Sequence, residues 1–165
     1  MAIQQVCVVY VVRQSAKGPE VLLGRKLTGL GAGKVVAPGG KLEPGEAPAE
    51  AARRELREEV GANLSCTSLL QVGINSYRFP TKPTWHQDSH VFTAGWAGGA
   101  AVPSTELDPF WVSAADVPYE EMWADAVLWL PAVLAGGPCD GKYTFASDLA
   151  SLEPDGAASS AHEMR

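Results

Sequence analysis

Residues 40–62, GKLEPGEAPAEAARRELREEVGA, constrain this chain more than any other stretch. They begin in a glycine-containing loop and run into a short amphipathic helix dense in acids. Residues three and four apart share a helix face, so Glu55, Glu58 and Glu59 are expected to project close together from one side. Ala52, Leu56 and Val60, spaced by four, form the apolar stripe expected on the opposite side, against a core. Gly61 stands where a left-handed residue commonly ends a helix. A merely solvated helix would interleave lysines with its glutamates, because like charges at these spacings repel by roughly a few tenths of a kcal/mol per pair. Here only Arg53, Arg54 and Arg57 offset the acids, which leaves a one-sided cluster. Convergent carboxylates beside a backbone loop are what a hard, oxygen-seeking ion such as Mg²⁺ or Mn²⁺ requires.

The rest of the chain supplies a frame for that helix. Residues 6–12, VCVVYVV, form a β-branched run that suits a strand buried on both faces. A polar turn leads to a second strand at 20–25, then a loop at 26–37 containing Gly29, Gly31 and Gly33. Between residues 21 and 42 there is no acid, but Arg25, Lys26, Lys34 and Lys41 are present, so this segment is expected to meet phosphate. Pro38-Gly39-Gly40 lets backbone approach whatever the acids bind. Strands are expected at 69–78 and 90–96, with a polar loop at 80–88 between them, and a short strand at 110–112. A helix is expected at 121–135, with Pro131 kinking or dividing it. From residue 146 the chain turns small and polar, and residues 146–165 read as a flexible tail behind a single domain at 1–145.

A net charge of −6 argues against a partner made of nucleic acid polymer, since phosphate neutralisation needs a basic face. It leaves room for a small phosphorylated ligand, whose charge a metal ion can meet locally. Cys7, Cys66 and Cys139 lack paired spacing, which suits a reducing, cytoplasmic setting rather than a disulfide framework or zinc site. The apolar runs are too short to predict a membrane span. His86 and His90 have no metal-ligand spacing, and His90, within a strand, reads as structural.

The stretch opened on above resembles the Nudix box, G-x5-E-x7-R-E-U-x-E-E-x-G-U, at every fixed position: Gly40, Glu46, Arg54, Glu55, Leu56, Glu58, Glu59, Gly61 and, more weakly, Ala62. Nudix enzymes hydrolyse nucleoside diphosphates linked to another moiety, using divalent metal. The resemblance implies an α/β/α sandwich with a mixed β-sheet. It implies that Glu55, Glu58 and Glu59 ligate metal with the carbonyl of Gly39, and that Arg54 and Glu46 form a buried support for the acids. Gly40 and Lys41 would lie against the substrate. A box glutamate, Glu58 or Glu59, would accept the proton of the attacking water.

Outside the box, residues 6–145 are similar to a narrower, MutT-like group, the oxidised-purine nucleoside triphosphatases that act on 8-oxo-dGTP. Residues 22–34, LLGRKLTGLGAGK, and 108–131, DPFWVSAADVPYEEMWADAVLWLP, carry the likeness. By that likeness Trp123 stacks on the base, Asp125 hydrogen-bonds the purine edge, Glu106 adds a metal ligand and Lys26 contacts the nucleotide. The chain departs from the group at three positions. Ala126 replaces a second aspartate, Val36 a base-reading asparagine and Cys7 a threonine. Each departure removes a polar group from the base site, and apolar walls discriminate weakly.

The expected activity is therefore metal-assisted hydrolysis of a nucleoside triphosphate to monophosphate and pyrophosphate, with an oxidised purine nucleotide favoured, by a monomer or homodimer. Two other readings stay open on the residues alone. One is hydrolysis of another nucleotide, such as a dinucleoside polyphosphate or ordinary dNTP. The other is a nucleotide-binding domain without turnover, which an intact acid set disfavours.

Overall fold

The computed structural model describes residues 3–154. Nine strands form one mixed sheet, with two α-helices. They are β1 (Gln4–Ser15), β2 (Gly18–Lys26), β3 (Val35–Val36), β4 (Gly39–Lys41), α1 (Pro48–Val60), β5 (Ser65–Cys66), β6 (Leu70–Arg78), β7 (Gln87–Gly98), β8 (Leu107–Ser113), α2 (Ala126–Leu134) and β9 (Lys142–Thr144).

β1 is the spine, and its residues alternate between two cores. Cys7, Val9 and Val11 pack with Ala51, Ala52, Leu56 and Val60 of α1. Tyr10 packs on the other face with Trp129, Leu130 and Val133 of α2. Successive strand side chains point to opposite faces, so a continuous apolar run is the signature of a strand covered on both. The helices therefore sit on opposite sides of the sheet, the sandwich expected from the sequence.

The strand pairing makes room for a site. β1 pairs in parallel with β7 along residues 4–12. Its other edge is shared, because only Val12–Ser15 pair with β2 while Val6–Val8 pair with β4. β1 and β2 thus splay apart, and residues 35–41 fill the wedge. β3 pairs with Gly24 and Arg25 of β2, and the Pro38 carbonyl accepts from Val9 N–H at 2.8 Å. Gly39 tolerates no side chain there, since a Cβ would collide with the Cys7 carbonyl. A Cβ on Gly40 would come within 2.5 Å of the Glu55 carboxyl carbon. The two glycines let the backbone run between the spine strand and the acids of α1.

Four expectations need correction. The buried residues of α1 are Ala51, Ala52, Glu55, Leu56, Glu59 and Val60. Glu55 and Glu59 hence border the apolar stripe instead of opposing it, because positions 51, 55 and 59 lie one residue, about 100°, from 52, 56 and 60. Gly61 does end the helix with positive φ, but its angles of 92° and 161° belong to an extended mirror region open essentially to glycine alone. The C-terminal helix begins at Ala126, since residues 119–121 form a 3-10 turn and Met122 is extended. That extension buries Met122 and brings Trp123 against the core. Pro131 lies inside α2 without dividing it. The carbonyl it leaves without an i+4 donor belongs to Val127, on the exposed side of the helix, where water can satisfy it.

Part of the segment expected as a tail is described. Residues 146–153 fold back in a turn, with Phe145 bridging Leu152 and the Asp148 carboxylate accepting from Ala150 and Ser151. Leu149 and Leu152 pack on the α2 core. The remainder of the expected tail, from residue 155, lies outside the described residues. Among the described residues no helix is long and apolar enough to cross a membrane.

Candidate active site

One cavity of about 620 Å³ opens where the strands splay. The acids of α1 line one end, and the aromatic residues that precede and begin α2 line the other.

At the acid end, Glu55, Glu59 and Glu106 each place a carboxylate oxygen within 4.8 Å of the other two. Glu55 and Glu59 are buried and Glu106, just before β8, is exposed. Burial chiefly pushes the Glu59 carboxyl up to about 7; the Gly39 N–H, donating at 3.0 Å, opposes this, and Glu106 and Glu55 add to it. Burial raises the Glu55 carboxyl too, against the pull of Arg54. Two buried carboxyls and a third, crowded together with only Glu55 in contact with a cation, Arg54, form a hard-oxygen donor set that fits a divalent ion. The Gly39 amide is already taken by Glu59, and its strand lies directly against the acids.

Arg54 ties the helix to the loop before it. Its Nε and Nη2 donate to both oxygens of Glu46 at 2.8 and 2.9 Å, and Nη2 also donates to the Lys41 carbonyl at 3.0 Å. Its Nη1 donates to Glu55 at 2.9 Å and reaches Glu58 at 3.3 Å. A bidentate Arg–carboxylate fork fixes geometry as well as charge. Arg54, hydrogen-bonding Glu46, holds the Glu46 carboxyl down at about 2, and the Glu43 N–H adds to this. The pair is half-buried rather than fully buried, with side chains 24 % and 14 % exposed. Glu58 differs from its neighbours. Its side chain is 53 % exposed, it leans on Arg54, and it lies outside the three-acid cluster.

At the other end, Asp125 is 3 % exposed. Its Oδ2 accepts from the Tyr77 hydroxyl and from Trp129 Nε1, both at 2.7 Å, while its buried Oδ1 has no partner among the described residues. Burial raises its pKa, against the two donors. A buried unpaired oxygen costs free energy unless a ligand supplies a donor. Trp123 stands nearly perpendicular to Phe79 and Phe145, which stack on each other at 4.9 Å. Tyr77, Trp129, Phe79 and Phe145 escaped sequence reading. Only Trp129, four residues after Asp125 on a helix, left a usable signal.

The basic segment divides between the two ends. Lys26 and Lys41 line the cavity with Gly39 and Gly40. Arg25 pairs instead with Glu121 at 2.8 Å, and Lys34 sits over the Trp123 ring. Val36, Ala126 and Cys7, the three departures noted above, all line the cavity. Of the histidines, His90 bridges Gln5 and Gln71. The His86 ring accepts from Phe79 N–H.

Two lysines lining the cavity, a three-carboxylate cluster centred on a glycine-flanked helix and a sandwich fold are the features of a Nudix-type hydrolase. A profile of the NUDIX domain matches residues 3–133, and the chain belongs to the Nudix hydrolase family. It is 41 % identical over 114 residues to the oxidized purine nucleoside triphosphate hydrolase of Danio rerio, covering 69 % of this chain and 71 % of that protein. The Mus musculus protein of the same description is 37 % identical over 125 residues, covering 76 % of this chain and 78 % of that one. Among solved structures, the Mutator MutT protein from Bacillus halodurans superposes with a TM-score of 0.72 at 26 % identity, covering 91 % of this chain and 94 % of that one.

Proposed function

We propose that this enzyme hydrolyses purine nucleoside triphosphates, oxidised ones such as 8-oxo-dGTP favoured, to monophosphate and pyrophosphate, and so clears damaged nucleotides from the pool. The observation that carries the reading is a single cavity with a carboxylate cluster at one end and the unpaired Oδ1 of Asp125 at the other. The two relatives named above are both described as hydrolases of oxidized purine nucleoside triphosphates.

Glu55, Glu59 and Glu106 would hold Mg²⁺ or Mn²⁺, with the Gly39 carbonyl beside them. Bound there, the ion supplies charge neutralisation at the phosphates and makes the attacking water more acidic. The residues of the chain do the rest. Lys26 and Lys41 meet the phosphates, with Gly40 giving the backbone its close approach. Arg54, forked to Glu46, orients Glu55 from outside the cavity. Water oxygen bonds to phosphorus as the bridging P–O bond breaks, and the water proton passes to a carboxylate of the helix. Of Glu58 and Glu59, Glu59 is the one that lines the cavity. Trp123 stacks on the base, and Asp125 Oδ1 takes its edge. An ionised Asp125 accepts from a guanine-type N–H, and a protonated one also donates. The enzyme works in the cytoplasm, as a monomer or homodimer, without nucleic acid polymer or membrane.

Phosphate release from a nucleotide panel, with inorganic pyrophosphatase and Mg²⁺ present, tests this. The expected ranking by kcat/KM places 8-oxo-dGTP above dGTP and dATP, and dCTP last. A preference for dCTP overturns the purine reading, and nucleotide binding without turnover would make the domain a sensor.

A further inference from the structure

Unlike Lys26 and Lys41, Lys34 is not among the residues that line the cavity. Its Nζ stands 4.9 Å from the centre of the Trp123 ring. Trp123 lines the cavity and Lys34 does not. Among the described residues it makes no ion pair with a carboxylate.

The loop that carries Lys34 is built to hold it there. Lys26 N–H donates to the Lys34 carbonyl at 2.9 Å, and Gly33 N–H donates to the Lys26 carbonyl at 2.7 Å, closing the loop at its base. Arg25 donates to the Gly33 carbonyl at 3.0 Å while pairing with Glu121, two residues before Trp123. Gly31, at φ 83°, brings backbone so near that a Cβ would lie 3.0 Å from the indole Nε1. The loop and the tryptophan segment therefore form one clasp, joined by an ion pair, a backbone contact and a cation over an aromatic face.

We propose that Lys34 is a positioning residue that sets base selectivity: from its place over the Trp123 ring it fixes the indole plane and draws on its π density, and so strengthens stacking on an electron-rich purine. The cation is attracted to the negative face of the ring quadrupole, and tryptophan is the best partner for it. An indole polarised from one side stacks more strongly on a ring with electron density to share, which an oxidised purine has and a cytosine has less of. This rests on the cavity being a nucleotide site, with Trp123 at its base end.

The experiment compares wild type, Lys34→Met and Lys34→Arg by three measurements. The first is the Trp123 indole N–H resonance without ligand, assigned by its loss in Trp123→Phe. The second is the Kd for 8-oxo-dGMP and for inorganic triphosphate. The third is kcat and KM for 8-oxo-dGTP and dCTP. In Lys34→Met the indole resonance should move, and both the Kd for 8-oxo-dGMP and the KM for 8-oxo-dGTP should rise about three- to thirtyfold, the range a cation–π contact supplies. The kcat, the KM for dCTP and the Kd for inorganic triphosphate should each stay within about twofold. Lys34→Arg should restore the purine values, since a guanidinium also stacks on the ring. The proposal is overturned if Lys34→Met leaves 8-oxo-dGMP binding unchanged, or if it weakens inorganic triphosphate and every nucleotide alike, which would make Lys34 a phosphate contact. Failure of wild type to bind 8-oxo-dGMP at all would bring down the nucleotide reading itself, a different result from binding that ignores Lys34.

Discussion

The two ends of the cavity are built in opposite ways. The acid end comes largely from one contiguous stretch, β4 through α1, with Glu106 and Lys26 contributed from outside it. Its carboxylates are tied down by Arg54 and the Gly39 amide before any ligand arrives. The base end is gathered from β6, the segment before α2, α2 itself and the strand-end residue Phe145. Its one buried acid is held on a single oxygen, and the other has no partner among the described residues. Under the proposed function, the part assigned to the reaction is local along the chain, whereas the part assigned to the base is non-local. Chemistry built on one helix survives drift elsewhere.

The contrast breaks most sharply at Glu59. Glu59→Gln should keep the fold but lower kcat by at least about a hundredfold, because a neutral amide is a poor ligand for a hard ion. Glu58→Gln, altering an acid outside the cluster, should lose less than about tenfold. Circular dichroism beside kcat for both variants checks this, and equal losses would show that the resting positions of the two acids do not report their roles.

At the base end the expected change is in ranking rather than rate. Asp125→Ala should lower kcat/KM for oxidised purines by about ten- to a hundredfold, largely through KM, because a polar site loses its reader. Measured over 8-oxo-dGTP, dGTP, dATP and dCTP, the ranking should flatten. An unchanged ranking means the base is read elsewhere.

A third test probes whether the acid end is truly preset. Arg54→Gln should cut turnover about tenfold and lower the urea midpoint, as Glu46 loses its forked partner. The pH dependence carries a sign. Arg54, assisted by the Glu43 N–H, depresses the folded pKa of Glu46 from 4.5 to about 2. The stability it confers is thus present above about pH 4.5 and lost as pH falls towards 2. Urea midpoints between pH 2 and 6 should show a shallower acid limb in Arg54→Gln than in wild type; identical slopes would relegate Arg54 to a surface charge.

The smallest effect is a gain. Val36→Asn returns a polar group to the cavity wall and should raise the preference for 8-oxo-dGTP over dATP about three- to tenfold. No change in that ratio would mean that residue 36 faces the ligand without touching its edge.

What the sequence determined by itself was whatever depends on near neighbours along the chain. The period of α1, the glycines before it, the acids on it and the doubly covered strand at 6–12 were all legible, because helix and strand periodicities are local. Even there, tertiary packing decided which acids turn inward: Glu58 and Glu59 are adjacent and identical, yet only Glu59 borders the stripe that the sheet covers. The short strands β3, β4, β5 and β9 carried too few residues to show a period, and they exist because longer strands offer them an edge. The late start of α2 could not be read from its composition, since residues 121–125 gain more by placing Met122 and Trp123 in the core than by continuing a helix. Only the folded chain could bring Tyr77 to Asp125, 48 residues apart, or Lys34 to Trp123. Such contacts follow from which strands pair and how they splay, and that is settled by the whole core at once, not by any one segment.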